Sequence, residues 1–202
     1  DVYKRQGFAN GMRKAAKEVV LENSSELIDI VGTGGDGSHS FNISTGAALL
    51  SAACGLKVAK HGNRSVSSKS GSADLLEFLG YGFPMDADGV KAQIKKNGFS
   101  FLFAPNFHPA MKHIAPIRQA LNARTVFNIL GPQTNPAGVK RQLTGAYSRE
   151  LIRPMAETLL ALGSEKAWLV HGGDGTDELS VAGMSWAVKL HEDGKIEEME
   201  IH

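Results

Sequence analysis

A chain of 202 residues, 42% hydrophobic and 21% charged with a formal net charge of +1, has ordinary globular composition and length enough for one domain with a sizeable core. The near balance of charge argues against a nucleic-acid-binding surface, which needs a basic excess. It leaves only a local patch around Lys57, Lys60, Arg64 and Lys69 to attract a small polyanion. No run approaches the roughly 20 apolar residues of a membrane helix, no signal-peptide pattern is present, and the lone Cys54 suits a reducing, cytoplasmic compartment.

The polar stretch 1–6 runs abruptly into a helical pattern and reads as a non-native remnant. Phe8, Met12, Ala15, Val19 and Val20 recur at helical spacing over 8–21. Residues 27–31 are a short β-rich run, followed at once by Gly32-Thr33-Gly34-Gly35-Asp36-Gly37 and then by the small, apolar, helix-favouring segment 44–54. Cys54 is expected as a small buried residue of that helix. A second strand over 57–60 leads into a polar loop, 61–71, and a short helix over 72–79 is stopped by Gly80. Residues 88–96 look helical, 99–103 form a buried-type strand, 108–121 a helix interrupted at Pro116, and 125–130 a strand. An amphipathic helix over 148–162, with Ser148 as N-cap, precedes a strand over 167–170 and a hairpin over 185–201 turning at Asp193-Gly194. The alternation predicts an α/β fold with a mostly parallel central sheet flanked by helices.

Three loops leaving strand ends carry unusual polar density, and ligands of open α/β sheets collect beyond such ends. In the first, glycines 32, 34, 35 and 37 let backbone N–H groups approach an anion, and Asn42 with Ser44-Thr45 begins a helix whose free N–H groups favour phosphate. A tight turn with an N-cap is the plainer alternative. The pattern is neither a Walker A loop nor a dinucleotide fingerprint, because Asp36 stands where a third glycine is needed. A carboxylate there repels phosphate unless it accepts ribose hydroxyls or faces a metal. The second loop, 60–72, holds Lys60, Arg64, Lys69 and five serines ahead of a helix, either as a phosphate site or as a solvated surface loop. The third, Gly172-Gly173-Asp174-Gly175-Thr176-Asp177-Glu178, taken alone reads as a solvated turn. Opposite two phosphate loops, its acids make sense as Mg²⁺ ligands, since magnesium is held by one or two carboxylates plus substrate phosphates and water.

Gly32-Thr33-Gly34-Gly35-Asp36, Asn42-Ile43-Ser44-Thr45, Lys60-His61-Gly62-Asn63-Arg64 and Ser70-Gly71-Ser72-Ala73-Asp74 resemble successive signatures of the anthranilate phosphoribosyltransferase family. So do Phe107-His108-Pro109-Ala110-Met111, Asn128-Ile129-Leu130-Gly131-Pro132 with Asn135-Pro136, and Asp177-Glu178-Leu179-Ser180, in the same order. The resemblance implies a nucleoside phosphorylase/phosphoribosyltransferase-like fold, with 7–202 an incomplete α/β phosphoribosyl-binding domain and 7–22 a helix of or near a largely missing helical domain. It implies that Gly32, Gly35, Asp36, Ser40, Asn42, Ile43, Ser44 and Thr45 hold phosphoribosyl pyrophosphate, completed by Lys60, His61, Gly62, Asn63, Arg64, Ser65, Val66, Ser67, Ser68 and Ser72. Gly32, Asn63, His108 and Arg118 are implied to contact anthranilate, with His61 and His108 lining its way in. Ser44, Asp177 and Glu178 are implied to bind Mg²⁺, as two ions. The resemblance further implies a homodimer, with most of the dimerising region expected to be absent from this chain.

The implied reaction displaces pyrophosphate from the ribose anomeric carbon by the neutral amine of anthranilate. No acid or base residue is expected, because an arylamine needs no prior deprotonation; Lys60, Asn63 and Arg118 act by electrostatics and positioning. Arg118 suits a carboxylate, although a plain exposed helix arginine is the simpler reading. Two alternatives stand beside this: a pyrimidine nucleoside phosphorylase on the same fold, and a non-catalytic relative that binds nucleic acid, which would show a basic surface and eroded loops.

Overall fold

The computed structural model describes residues 1–21, 24–38, 40–65, 70–121 and 123–202; His39, Val66, Ser67, Ser68 and Lys69 lie outside these. Its elements run α1 (Val2–Ala15), β1 (Leu27–Gly32), α2 (Ile43–Ala53), β2 (Lys57–Gly62), α3 (Ser72–Phe78), α4 (Ala87–Asn97), β3 (Phe99–Phe103), α5 (Ala104–Phe107), α6 (Met111–Leu121), α7 (Phe127–Leu130), β4 (Arg141–Gly145), α8 (Arg149–Ala161), β5 (Lys166–Gly172), β6 (Ser185–Leu190) and β7 (Ile196–Ile201). The strands form one sheet in the order β3-β2-β1-β4-β5-β6-β7. β3 through β5 are parallel, while β6 and β7 are antiparallel additions. This is the expected mostly parallel α/β sheet.

Alternate residues of each strand feed opposite faces. On one face Ile30, Val58, Phe99 and Phe101 meet Ala48 of α2 and Ala73 and Leu76 of α3. On the other, Leu27, Ala59 and Leu102 meet Val90 of α4 and Phe107 of α5, and farther along Leu169 and Val188 meet Met155 and Leu159 of α8. The chain moves from β1 to β2 and β3 on one side, then returns to place β4 on the other side of β1. The strand order therefore reverses between β1 and β4, and open α/β sheets collect their ligands beyond the carboxyl ends of the strands at such a point.

Beyond Leu27↔Lys57 and Ile28↔Val58, side chains link β1 to β2. The fully buried Asp29 carboxylate accepts from the His61 N–H (3.2 Å) and from Asn135 Nδ2 (2.8 Å), which also donates to Ala59 O (2.8 Å). Lys60 Nζ donates to Ile30 O. Burial pushes Asp29 up to about 6, against the pull of Lys60 and these donors.

Several local readings needed correction. The first helix lies at 2–15, not 8–21: Asp1 Oδ1 accepts from the Tyr3 N–H (2.9 Å), while Lys17 N–H donates to Phe107 O (2.7 Å) and Val19 N–H to Pro136 O (3.0 Å). Those tertiary bonds pull 17–19 into extended chain and bury Val19 in the core. Residues 125–130 are not a strand. Asn128 Oδ1 accepts from the Thr125 N–H (2.8 Å), Leu130 N–H donates to Val126 O (3.2 Å), and α7 continues into a 3-10 turn at Gly131–Gln133. A short apolar run does not distinguish helix from strand by its periodicity. The central strand β4 escaped notice because only Leu143 in Arg-Gln-Leu-Thr-Gly is strongly apolar; Gln142 is buried by donating to Pro132 O (3.1 Å) and Thr144 Oγ1 (2.6 Å). Cys54 is exposed at the C-terminal cap of α2, not buried. α6 starts at Met111, behind the separate α5, and continues through Pro116.

Asn135→Ala removes one of the donors that hold a fully buried carboxylate. It should lower unfolding free energy by about 2–3 kcal/mol, the scale for stranding a charged hydrogen-bond partner. Urea denaturation at pH 7.5 measures it, and a loss below about 0.5 kcal/mol would show that Asp29 does not depend on Asn135.

Candidate active site

The crevice between β1 and β4 is built on two glycines. Gly32 and Gly145 are cross-strand partners at the strand ends, and the loop after β5 lies across them. A Cβ on Gly145 would stand 1.5 Å from Asp177 O, and one on Gly32 would stand 2.5 Å from Asp177 Oδ2. The same carboxylate oxygen accepts from the Gly34 N–H (2.7 Å). Asp177 N–H donates to Asp36 Oδ2 (3.4 Å), and a backbone N–H of Ser44 donates to the Glu178 carboxylate. The first and third loops, far apart in sequence, are thus one structure at the start of α2.

The second loop joins them from β2. Lys60 is 1% exposed, and its Nζ reaches Ser44 Oγ (3.2 Å) beside Ile30 O. Burial holds Lys60 down to about 8, against the pull of Asp29, Glu178 and Asp177. Asn42 Nδ2 donates to Ser70 Oγ (3.4 Å), tying the first loop to the approach of α3. Asp74 Oδ2 accepts from the Gly71 (2.7 Å) and Ser65 (3.0 Å) N–H groups, and Gly71 packs so closely that a Cβ would stand 2.3 Å from Ser65 N. Arg64 turns its guanidinium to Glu77, through two bonds of 2.7 and 2.8 Å, and to Asp74. Asn63 is exposed; its Oδ1 accepts from the Arg64 N–H (2.8 Å) and its carbonyl accepts from the Ala73 N–H (3.2 Å). Ser40 and Ile43 are exposed beside α2, Thr45 is fully buried with Oγ1 unpartnered, and Ser72 opens α3. Val66, Ser67 and Ser68, expected in the same site, lie outside the described residues.

Three carboxylates crowd this crevice. Burial raises Asp177, reinforced by Asp36, and burial with the charge of Asp177 raises Glu178 to about 7. Among the described residues no group of three or more His, Cys, Asp or Glu is placed to hold a metal ion by itself. Magnesium does not need one: carboxylate oxygens and a hydroxyl are the hard donors it takes alongside phosphate and water. Mutually repelling carboxylates next to a helix N-terminus and Lys60 fit a divalent cation bridging to an anionic ligand.

The opposite face of β2 carries different chemistry. His61 points away from Lys60 into the wall formed by the 131–134 turn, with Nδ1 3.0 Å from Gly131 O. His108 lies against it, ring centroids 5.0 Å apart. Burial lowers His61 to about 3 and lowers His108 as well. His108 also lines a groove of about 650 Å³ between α1 and α6, built otherwise by Lys4 and mainly apolar groups such as Phe8, Met12, Met111, Ile114 and Phe127. Arg118 sits with its guanidinium 5.7 Å from the centre of the Phe127 ring, which ties it to this groove.

Arg124 was missed in the sequence. Its Nη2 donates to Gly35 O and its guanidinium lies 4.2 Å from the centre of the Tyr147 ring, over the glycine loop. No motif marks it; its place follows from the turn that carries the chain to α7. Gly145 was missed with β4, and Asp29 gave no signal beyond a single acid in an apolar run.

The model of the glycosyl transferase family, a/b domain, matches residues 24–202. The anthranilate phosphoribosyltransferase of Polynucleobacter asymbioticus is 53% identical over 194 residues, covering 96% of this chain and 57% of the relative. The crystal structure of anthranilate phosphoribosyltransferase from Thermus thermophilus superposes with a TM-score of 0.86 at 46% identity, over 98% of this chain and 58% of that one. The enzyme of that name from Saccharomyces cerevisiae, in complex with PRPP and Mg, gives a TM-score of 0.87 at 32% identity, over 100% of this chain and 55% of its own. The chain therefore spans a little over half the length of these relatives.

Gly145→Ala should destabilise the fold by about 1–3 kcal/mol, the usual cost of overpacking, because the Asp177 backbone must move. Gly46→Ala, a helix position with open space at its Cβ, should be neutral or stabilising by up to about 1 kcal/mol. Paired thermal melts decide this, and equal effects would show that the loop does not rest on Gly145. His61 supplies a second test. Its folded-state value of about 3 lies below the ordinary 6.5, so the unfolded chain binds its proton first and the stability of a neutral, buried His61 is lost as pH falls from 6.5 towards 3. The stability gap between wild type and His61→Asn should therefore narrow steadily from pH 7 to pH 4 in urea titrations. A constant gap would mean that His61 is not held neutral.

Proposed function

The chain belongs to the glycosyl transferase family whose a/b domain it carries, and from that premise we propose that it is the phosphoribosyl-binding part of an anthranilate phosphoribosyltransferase. The observation that carries the reading is the seating of the Asp177 loop across Gly32 and Gly145, which gathers three polar loops at the ends of β1, β2 and β5. The names of the relatives and the PRPP and Mg of the yeast structure support it. They do not favour a nucleoside phosphorylase or a nucleic-acid-binding relative.

In this reading the glycine loop, the N-terminus of α2 and the 60–72 loop hold the phosphates of phosphoribosyl pyrophosphate through backbone N–H groups, serines and Lys60. Asp177, Glu178 and Ser44 hold magnesium, as two ions, which when bound neutralises charge on the departing pyrophosphate. Lys60, buried beside Ser44, adds a fixed positive charge to the same side. Asp36 accepts ribose hydroxyls. The apolar groove takes the aromatic ring of anthranilate, with Arg118 facing its carboxylate, His108 on its wall and His61 packed behind His108. Gly32 and Asn63 border the meeting point of the two substrates. The amine attacks the anomeric carbon as the bond to pyrophosphate breaks. The groups of the crevice act by charge and position, and dimerisation and a cytoplasmic setting complete the proposal.

The direct test is a fluorescence assay of anthranilate consumption with phosphoribosyl pyrophosphate and Mg²⁺, using the protein at its full encoded length. Asp177→Asn combined with Glu178→Gln should reduce turnover by about 10³-fold or more, within the range spanned by losing transition-state charge stabilisation at more than one group. Arg118→Ala should raise the KM for anthranilate about tenfold or more and leave that for phosphoribosyl pyrophosphate nearly unchanged, as loss of a charge-assisted contact predicts. No Mg²⁺-dependent consumption by the unsubstituted protein would refute the reading.

A further inference from the structure

The glycine loop after β1 is held from two sides. From the sheet, its Gly34 N–H donates to Asp177 Oδ2 (2.7 Å) and its Thr33 N–H to Gly145 O (2.9 Å). From the turn between α6 and α7, Arg124 Nη2 donates to Gly35 O (2.5 Å), a bond between groups 89 residues apart. The same guanidinium lies 4.2 Å from the centre of the Tyr147 ring. Tyr147 is in turn joined to the loop, its N–H donating to Thr33 Oγ1 (3.0 Å). Arg64 pairs with two carboxylates of α3, whereas Arg124 is held by a carbonyl and a ring. Arg124 and Gly34 are exposed, and a Cβ at Gly34, Gly35 or Gly37 would meet nothing within 4 Å, so the backbone here is open to approach.

For an anion, the direction of each peptide in such a loop decides between binding and repulsion. Gly34 and Gly35 have φ of 65° and 77°, and glycines turn their peptide planes at little steric cost. A carbonyl turned towards a phosphate repels it, while an N–H turned towards it binds. Across a trans peptide the two point in opposite directions. A guanidinium that draws Gly35 O to itself therefore keeps that carbonyl off the ligand and sets the N–H of the same peptide on the side away from Arg124. We propose that Arg124, seated on Tyr147, is a positioning residue for the anion site, holding Gly35 O aside so that the glycine loop meets phosphate with N–H groups. The bond and the ring contact together fix the plane of the guanidinium, and with it the direction of the carbonyl. Tyr147 is the second positioning residue, acting through Arg124 by its ring and on Thr33 by its backbone.

The inference rests on the proposed use of the glycine loop for phosphate, and calorimetry with inorganic pyrophosphate and Mg²⁺ on the full-length protein tests it apart from the transfer reaction. Arg124→Ala should weaken pyrophosphate binding about tenfold or more, the scale of one charge-assisted hydrogen bond. Arg124→Lys, which keeps a donor and a charge, should recover most of that loss. Tyr147→Leu should weaken binding about threefold or more, and should add little on top of Arg124→Ala, because the two side chains act as one unit. In turnover, Arg124→Ala should raise the KM for phosphoribosyl pyrophosphate while that for anthranilate changes less than about threefold. Its melting temperature should fall by no more than about 2–4 °C, as for a surface substitution. Unchanged pyrophosphate affinity in Arg124→Ala would overturn the proposal, and so would a general loss of stability. An effect of Arg124→Ala with none of Tyr147→Leu would reduce Arg124 to a bare charge and overturn its positioning role. Pyrophosphate binding that depends on both residues, without transfer to anthranilate, would leave the proposal standing and remove the transferase reading; transfer that ignores both residues would do the reverse.

Discussion

Beyond Ile28 and Val58, β1 and β2 are joined by two buried charged side chains. Asp29 reaches from β1 to the His61 N–H, and Lys60 reaches from β2 to Ile30 O. These bonds give partners to polar groups of the two strands that would otherwise be stranded in the core. The reach of Lys60 to Ile30 O also brings its Nζ to Ser44 at the start of α2. Burying the two charges is expensive, and their attraction together with Asn135 offsets that cost. Replacing the pair by apolar residues would leave the His61 N–H and Ile30 O without these partners.

On the other side of β1 the constraint is steric. β1 and β4 remain in register to Gly32 and Gly145, and the absence of side chains at both allows the Asp177 backbone to lie directly on the ladder. The loop after β5 could not approach otherwise. Its acids are consequently held between a strand floor and the N-terminus of α2, half out of water and close to Asp36. The resulting repulsion is an unfavourable arrangement in isolation. In the proposed function a cation and an anionic ligand sharing this place would relieve it, each neutralising what the other opposes.

The sequence made the alternation of strands and helices plain, and the three loops were legible as a polar cluster because glycines, serines and acids sat just past apolar runs. What it hid was set by tertiary contacts. β4 is polar because it lies beneath the 131–134 turn, where Gln142 finds Pro132 O. α1 ends early because Phe107 and Pro136, both far along the chain, accept its following N–H groups. The 125–130 segment coils because Asn128 bonds back to Thr125, a local choice that apolar periodicity cannot express. In the site, Lys60 and the acids were recognisable by type, whereas Asp29, Gly145 and Arg124 act through what they touch. Arg64 lies in a loop that composition left open between a phosphate site and a solvated surface, and its guanidinium is paired with Asp74 and Glu77 on α3.

The end of β2 shows how little freedom the arrangement has. Side chains alternate along a strand, so Lys60 faces α2 and the glycine loop while His61 faces the 131–134 turn and His108. A slip of one residue would exchange them, placing an imidazole beside Ser44 and an ammonium against the apolar groove. The Leu27↔Lys57 pairing alone is a weak guard against that, being at the far end of the strand. Asp29 is the stronger one. Its two oxygens read His61 by its N–H and Asn135 by its amide, and Asn135 in turn reads Ala59 by its carbonyl. Only one register satisfies all three, so the buried carboxylate that carries no chemistry of its own decides which face receives the charge and which receives the imidazole.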